Sequence, residues 1–252
     1  MSGRRLIIGD IHARYERLRG ALEKASFSPE KDILYSVGDF CDRGDKPVQT
    51  LEYLMDLGDS FRPVLGNHDA WLESALITGV ADPNWTDNNG GMITEKAVFS
   101  MPEEWREGLK KWLSGIPLIR VMEDDIIVHG GIPAGLGEDM VTRIAKIDRP
   151  VPLFRMLWNG ETRDELILMD FMERFYWDRD YILSAMAHEH GNIPNQKPFD
   201  TGKTIWIGHS QLISGKPFHS EAYHLWAIDT GAGSGRGPIT VMDMDTKEYW
   251  QA

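Results

Sequence analysis

Acidic, amide and imidazole side chains follow short apolar runs at five points along the chain. The clusters read Gly9-Asp10-Ile11-His12, Gly38-Asp39, Gly66-Asn67-His68-Asp69, His129-Gly130-Gly131 and Gly208-His209-Ser210. Asp10 and His12 lie two positions apart on an extended segment, so both side chains point the same way and can bind one ion. Further oxygen and nitrogen donors come from Asp39, Asn67, His129 and His209. Six donors exceed one tetrahedral site, and together they predict a metal centre.

The donor types indicate the metal and the reaction. Carboxylate, amide oxygen and imidazole without thiolate suit divalent ions such as Mn, Fe or Zn. One carboxylate bridging two ions about 3.5–4 Å apart would give each ion part of its shell, and a bridging water would become hydroxide near neutral pH. Such a pair predicts metal-assisted hydrolysis of a phosphoester.

Three residues near these donors predict the remaining chemistry. His68 cannot easily share the direction of its neighbour Asn67, which leaves it free to act as general acid toward the departing oxygen. Asp42 could accept a hydrogen bond from the other ring nitrogen of His68 and so fix its tautomer. Arg43, next to Asp42, offers a planar fork for phosphoryl oxygens.

The elements that must position these residues alternate along the chain. Each apolar run is about four residues long, rich in β-branched or large side chains and closed by a turn former, which is typical of a buried strand. Apolar residues at helical spacing predict helices between the strands, over residues 15–25, 48–55, 71–76 and 103–113. Strand and helix alternation indicates the α/β class, in which ligands bind beyond the carboxyl ends of the strands.

Two later regions depart from this rhythm. Residues 138–200 contain a helical pattern and Pro/Asn-rich turns without a clear strand, so we interpret them as a helical and loop insert in a single domain that spans residues 1–252. Strand patterns return at residues 223–228 and 239–242. The glycine-rich residues 231–237 between them predict a hairpin connection.

Composition limits the class of protein. With 39 acidic and 27 basic residues among 252, the formal net charge is −12, which argues against a protein that coats nucleic acid or an anionic membrane. The apolar run after the N-terminal arginines is too short for a signal peptide. Cys41 is the single cysteine and cannot form an internal disulfide. We therefore expect a cytoplasmic protein, and the sequence does not indicate its oligomeric state.

The ordered motifs resemble those of the calcineurin-like metallophosphoesterases. Asp42-Arg43-Gly44 after the second cluster is similar to the phosphoprotein phosphatase branch in its compact bacterial and phage form. Each motif alone is weak, but five in order are highly specific. The resemblance implies a β-sandwich of two mixed sheets flanked by helices, which the strand rhythm alone does not distinguish from a doubly wound sheet.

The resemblance also assigns roles. It implies that Asp10, His12 and Asp39 bind the first metal, and that the second is bound by Asp39, Asn67, His129 and His209, with Asp39 as the bridge. It implies His68 as acid, Asp42 as its partner and Arg43 as phosphate clamp. A second family arginine follows an aromatic-rich strand, and Phe175-Tyr176-Trp177-Asp178-Arg179 is similar, so Arg179 is the candidate ahead of Arg155 and Arg163.

Three functions are consistent with these residues. The first is a Mn-dependent phosphatase with two divalent ions, acting on phosphomonoesters, with phosphoserine and phosphothreonine in proteins as the expected substrates. The second is a symmetrical dinucleoside polyphosphate hydrolase, because such enzymes share the motif series. The third is a catalytically silent metal-binding interaction module, which we disfavour because every inferred metal and acid position is filled.

Overall fold

The computed structural model describes residues 3–146 and 173–252. Its strands within these ranges are β1 (Arg5–Ile8), β2 (Ile33–Ser36), β3 (Phe61–Pro63), β4 (Ile119–Val121), β5 (Asp125–Val128), β6 (Thr204–Ile207), β7 (Phe218–Ser220), β8 (Leu225–Ala227), β9 (Thr240–Asp243) and β10 (Tyr249–Gln251). Its helices include α1 (Tyr15–Lys24), α2 (Pro47–Asp56), α3 (Asn67–Thr78), α4 (Met92–Phe99), α5 (Glu103–Ser114), α6 (Glu138–Ile144) and α7 (Asp180–Glu189). Residues 173–177, which the family resemblance compares with an aromatic-rich strand, are helical.

The strands form two five-stranded mixed sheets. The first has the order β10-β9-β1-β2-β3, with β1, β2 and β3 parallel and β9 and β10 antiparallel to their neighbours. The second has the order β4-β5-β6-β8-β7, with a parallel centre of β5, β6 and β8. Parallel strands need crossover connections, and those at β1, β2 and β3 pass through α1 and α2.

Three groups of buried side chains hold the layers together. The outer face of the first sheet packs with the N-terminal helices around Leu6, Leu34 and Leu109. A second group covers the other face of the second sheet. Between the sheets lies a smaller group that includes Ile7 and Trp206. Both sheets are therefore buried on two faces, which explains why the central strands are apolar throughout rather than alternating.

The predicted α/β sandwich of two mixed sheets flanked by helices is confirmed. Four of the five apolar runs coincide with β1, β2, β5 and β6, whereas β3 ends at Pro63, where the third predicted run begins. The predicted hairpin at residues 231–237 is wrong, because β8 and β9 lie in different sheets. Local pattern shows that two strands are adjacent in sequence but not which sheet each joins. The single-domain boundary and the insert at residues 138–200 stay predictions. The described helices include none long and apolar enough to cross a membrane.

Candidate metal centre

The ends of five strands bring the six predicted donors to one buried point. Asp10 and His12 follow β1, and Asp39 follows β2. The other three donors follow β3, β5 and β6, and they are Asn67, His129 and His209. All six are buried, and His209 has the largest exposure, 8%. Strand ends of both sheets thus converge, as the sequence predicts for an α/β fold.

The turns that carry these donors need close backbone approach. A Cβ atom added at Gly208 would lie 2.1 Å from Asp10 Oδ1, and one added at Gly66 would lie 2.1 Å from Asp39 Oδ1. Only glycine leaves room for a carboxylate there. Asp39 itself adopts a left-handed φ of 57°. The Asp69 side chain holds this turn, because its carboxylate accepts hydrogen bonds from the backbone N–H groups of Asp39, Phe40 and Gly66.

Asp39 lies between two imidazoles. Its Oδ2 is 3.5 Å from His12 Nε2, and its Oδ1 is 3.4 Å from His129 Nε2. The same His129 nitrogen is 3.0 Å from Asn67 Oδ1, and the Asp10 carboxylate lies 4.0 Å from His12 Nε2. Two groups of three residues each have ligand atoms within 4.8 Å of one another. Both groups contain Asp39, one with Asp10 and His129 and the other with His12 and His68. This is the arrangement that a bridging carboxylate requires.

Hydrogen bonds orient the histidine rings with Nε2 toward the centre. His12 Nδ1 lies 3.1 Å from the Cys41 carbonyl oxygen, and His129 Nδ1 lies 2.7 Å from that of Val37. Each Nδ1–H donates to its carbonyl, so Nε2 keeps the lone pair that a metal needs. Within the described ranges, His209 Nε2 is buried without a hydrogen-bond partner. A buried orphan nitrogen beside carboxylates fits a metal ligand.

The electrostatics also fit a bound cation. Burial raises the pKa of Asp10 well above its usual value, and the nearby Asp229 carboxylate adds to this. Burial and the neighbouring His129 lower the pKa of His209 to about 2, so its imidazole is neutral. Burial lowers the pKa of His129, but the Asp39 carboxylate outweighs this and raises it to about 9. Divalent cations would let the carboxylates ionise and keep the imidazoles neutral, as ligands must be.

The predicted contact between His68 and Asp42 is present beside the donors. His68 Nδ1 lies 2.5 Å from Asp42 Oδ2, and the Trp85 indole N–H donates to the same oxygen at 2.5 Å. The Asp42 backbone N–H donates to Thr94 Oγ1 at 2.9 Å. Trp85 and Asp42 are fully buried. This network fixes the His68 ring with Nε2 toward the centre.

The two candidate arginines lie at the mouth of the site. The exposed Arg43 guanidinium is 3.1 Å from His12 Nε2 and 2.9 Å from His68 Nε2. Arg179 donates to the His209 carbonyl oxygen and to Ser210 Oγ, both at 3.2 Å. Arg155 and Arg163 lie outside the described residues.

A match to a protein-family model shows the family of the chain. The model for calcineurin-like phosphoesterases matches residues 3–209. The chain belongs to this family. The predicted family resemblance and the predicted hydrolase activity are therefore confirmed: the chain is a phosphoester hydrolase with a dinuclear divalent metal centre.

Curated relatives of this phosphoesterase are named symmetrical bis(5'-nucleosyl)-tetraphosphatases. The one from Klebsiella pneumoniae subsp. pneumoniae is 34% identical over 273 residues, covering 97% of this chain and 92% of the relative. The one from Vibrio campbellii is 36% identical over 126 residues, and this match covers 50% of the chain and 44% of that relative.

Solved structures show the same fold at lower identity. A cold-active protein-tyrosine phosphatase from a Shewanella species has a TM-score of 0.59 at 17% identity, covering all of this chain and 80% of that one. A protein serine/threonine phosphatase from Saccharomyces cerevisiae has a TM-score of 0.55 at 15% identity, covering 100% and 80%. These similarities confirm the sandwich architecture of the phosphoesterase and carry no information on its substrate.

Three features of this phosphoesterase site were missed by the sequence analysis. Asp229 is buried and close enough to raise the pKa of Asp10. It follows an apolar run just as the other donors do, so the same pattern could have found it. The 231–237 loop also borders the site, since a Cβ added at Gly233 would lie 2.6 Å from Arg43 Nη1. Trp85 has no sequence signal, because its contact with Asp42 spans 43 residues.

Proposed function

We propose that the chain hydrolyses dinucleoside tetraphosphates symmetrically, releasing two nucleoside diphosphates. The observation that carries this proposal is the relationship to symmetrical tetraphosphatases at 34% identity over 97% of the chain. The alignment spans 92% of that relative, so the match is not limited to the metal-binding motifs. The sequence motifs favoured phosphoserine and phosphothreonine as substrates, whereas these relatives support the dinucleoside alternative better.

The metal centre would supply the chemistry that hydrolysis of any phosphoester requires. Asp10, His12 and Asp39 would hold one ion, and the second would be held by Asp39, Asn67, His129 and His209. When bound, the two ions withdraw charge from the phosphoryl oxygens and provide a nucleophile at neutral pH. We propose Mn as the native metal, because the mixed oxygen and imidazole donors without thiolate suit it.

The chain's own residues complete the reaction. Arg43 contacts His12 and Arg179 contacts the His209 turn, and from these positions both guanidinium groups bind phosphoryl oxygens, which orients the polyphosphate chain. In the structure His68 Nε2 accepts a hydrogen bond from Arg43. Once Arg43 binds a phosphoryl oxygen instead, Nε2 can carry a proton and deliver it to the departing oxygen, while Asp42 accepts Nδ1–H. In a tetraphosphate cleaved between its second and third phosphates, the departing group is a nucleoside diphosphate.

Product analysis with two substrates tests the proposal. Protein purified and loaded with Mn should convert diadenosine tetraphosphate to ADP alone, whereas asymmetric cleavage would give ATP and AMP. A phosphoserine peptide at the same concentration should turn over more slowly. The proposal is wrong if the peptide is hydrolysed faster, or if ATP and AMP are the products.

A variant separates the acid from the metal site. His68→Asn should lower turnover by roughly 10²–10⁴-fold, as expected for loss of a general acid, with metal content unchanged. Because His68 also lies in a group of potential ligand atoms, loss of metal in this variant would reassign it as a ligand. Lack of turnover with Mn, Fe, Co and Zn would leave the silent binding module as the better interpretation.

A further inference from the structure

Two tryptophans form an aromatic corner beside the metal centre. The Trp71 ring lies 5.3 Å from the His68 ring, and the Trp177 ring lies 5.6 Å from the His209 ring, both nearly perpendicular. The two indoles meet at 5.0 Å with an angle of 71° between their planes. The aromatic corner, Trp71 with Trp177, therefore connects the proposed acid with a donor of the second metal.

The elements that carry the reactive groups also position this corner. Trp71 follows Asn67 and His68 by one turn of α3, so it lies on the same side of the helix as these residues. Trp177 is two residues before Arg179. Its segment approaches the His129 turn closely, since a Cβ added at Gly130 would lie 2.8 Å from the Asp178 nitrogen. The glycine pair after His129 thus permits Trp177 to reach the site.

The corner has the properties of a ring-binding surface. Trp177 is 40% exposed, although burial of an indole is favourable, and Trp71 is half-buried. Two indoles at an angle let a planar group lie flat on one ring with its edge against the other. Stacking of a nucleobase on an aromatic side chain contributes about 1–3 kcal/mol. A seryl or threonyl phosphate has no ring that could use this surface.

The charges around the corner indicate what a ligand must carry besides a ring. The guanidinium groups of Arg43 and Arg179 and the metal ligands lie next to it, so a ligand must carry anionic groups as well as a planar ring. We propose that Trp71 and Trp177 form a nucleobase-binding subsite that stacks one base of a nucleoside polyphosphate whose phosphates lie on the metal centre. This proposal rests on the proposed function. It assigns a binding surface to the base, the part of the substrate that the metal centre does not contact.

Binding measurements on metal-loaded protein test the subsite independently of turnover. Trp177→Ala should weaken ADP binding about 5- to 150-fold, from the stacking energy above, and change pyrophosphate binding less than about 2-fold. Trp177→Phe should retain most of the ADP affinity, because phenylalanine keeps an aromatic face. Trp250→Ala, in the edge strand β10, is the matched control and should leave both affinities unchanged.

Several results would overturn the subsite. Equal weakening of ADP and pyrophosphate in Trp177→Ala would show that the indole supports the metal centre instead of the base. Equal weakening of ADP and O-phosphotyrosine would show a general ring surface without nucleobase preference. Unchanged KM for diadenosine tetraphosphate in this variant would remove the subsite and leave the proposed function standing. Trp177-dependent ADP binding without hydrolysis of diadenosine tetraphosphate would remove the proposed function and leave the subsite standing.

Discussion

The shared acceptor of His68 and Trp85 gives a quantitative prediction for Asp42→Asn. Both donors meet Asp42 Oδ2, whereas Asp42 Oδ1 is buried without a hydrogen bond to any described residue. In the asparagine variant the indole N–H of Trp85 can be satisfied only if the amide oxygen occupies the Oδ2 position. The oxygen then still accepts from His68 Nδ1–H, so the ring can still carry its second proton on Nε2.

The expected loss of turnover in Asp42→Asn follows from replacing a charged hydrogen-bond acceptor of His68 with a neutral one. A bond to a charged acceptor contributes up to about 2 kcal/mol more than a neutral one, which is roughly a 30-fold loss of turnover at about 1.4 kcal/mol per factor of ten. Trp85→Phe alone should cost about 1.5–3 kcal/mol of stability, because a buried carboxylate loses a donor. Its turnover should fall less than about 10-fold, since Asp42 still binds His68.

The double variant Asp42→Asn/Trp85→Phe tests whether Trp85 orients the amide group of the asparagine. Without Trp85, the asparagine can turn its NH₂ group toward His68 Nδ1, which prevents that nitrogen from carrying a proton and removes the acid function. The double variant should therefore lose about 10³-fold or more, well beyond the product of the single losses. Single-turnover rates with diadenosine tetraphosphate and Mn measure this, with metal content checked for each variant.

A matched control and two outcomes make this prediction refutable. Trp105 donates to Glu52 at 3.0 Å in the same way, so Trp105→Phe should cost some stability without affecting turnover. If Asp42→Asn alone is as damaging as His68→Asn, Trp85 does not orient the amide. Losses that multiply in the double variant would contradict the shared acceptor.

Three further predictions concern the metal, charge and stability. Gly208→Ala should reduce bound metal below two per chain by elemental analysis, because its Cβ would meet Asp10, whereas Gly202→Ala should not, since its Cβ would have no atom within 4 Å. Chelated protein should bind phosphate poorly in calorimetry because its net charge is −12, and tight binding would refute this. Asp32→Asn should lower the free energy of unfolding by about 2 kcal/mol at pH 7. Burial raises the pKa of Asp32, but hydrogen bonds led by that of Arg4 lower it below 3.8, so this difference in thermal melts should vanish as pH falls below 3.8.

Sequence pattern predicted most of the candidate site because a short apolar run closed by a turn residue fits few structures other than a buried strand. A buried strand of a parallel sheet is apolar along its whole length, and its polar successor must lie at the carboxyl end. Asp10, Asp39, Asn67, His129 and His209 follow this rule, and the structure brings all five together. The order of motifs then indicated the family, which the match to residues 3–209 confirms.

Sequence alone could not predict contacts between distant segments. Trp85 reaches Asp42 across 43 residues, and Trp177 reaches Trp71 across more than 100, through side chains whose spacing carries no period. The sheet that β9 joins was likewise undetermined, because loop residues fix a local turn and not the partner of the next strand. The candidate donors of the metal centre could thus be named from the sequence alone. The contacts of Asp42 with Trp85 and of Trp71 with Trp177 were decided only by the tertiary structure, because each joins segments that are distant in sequence.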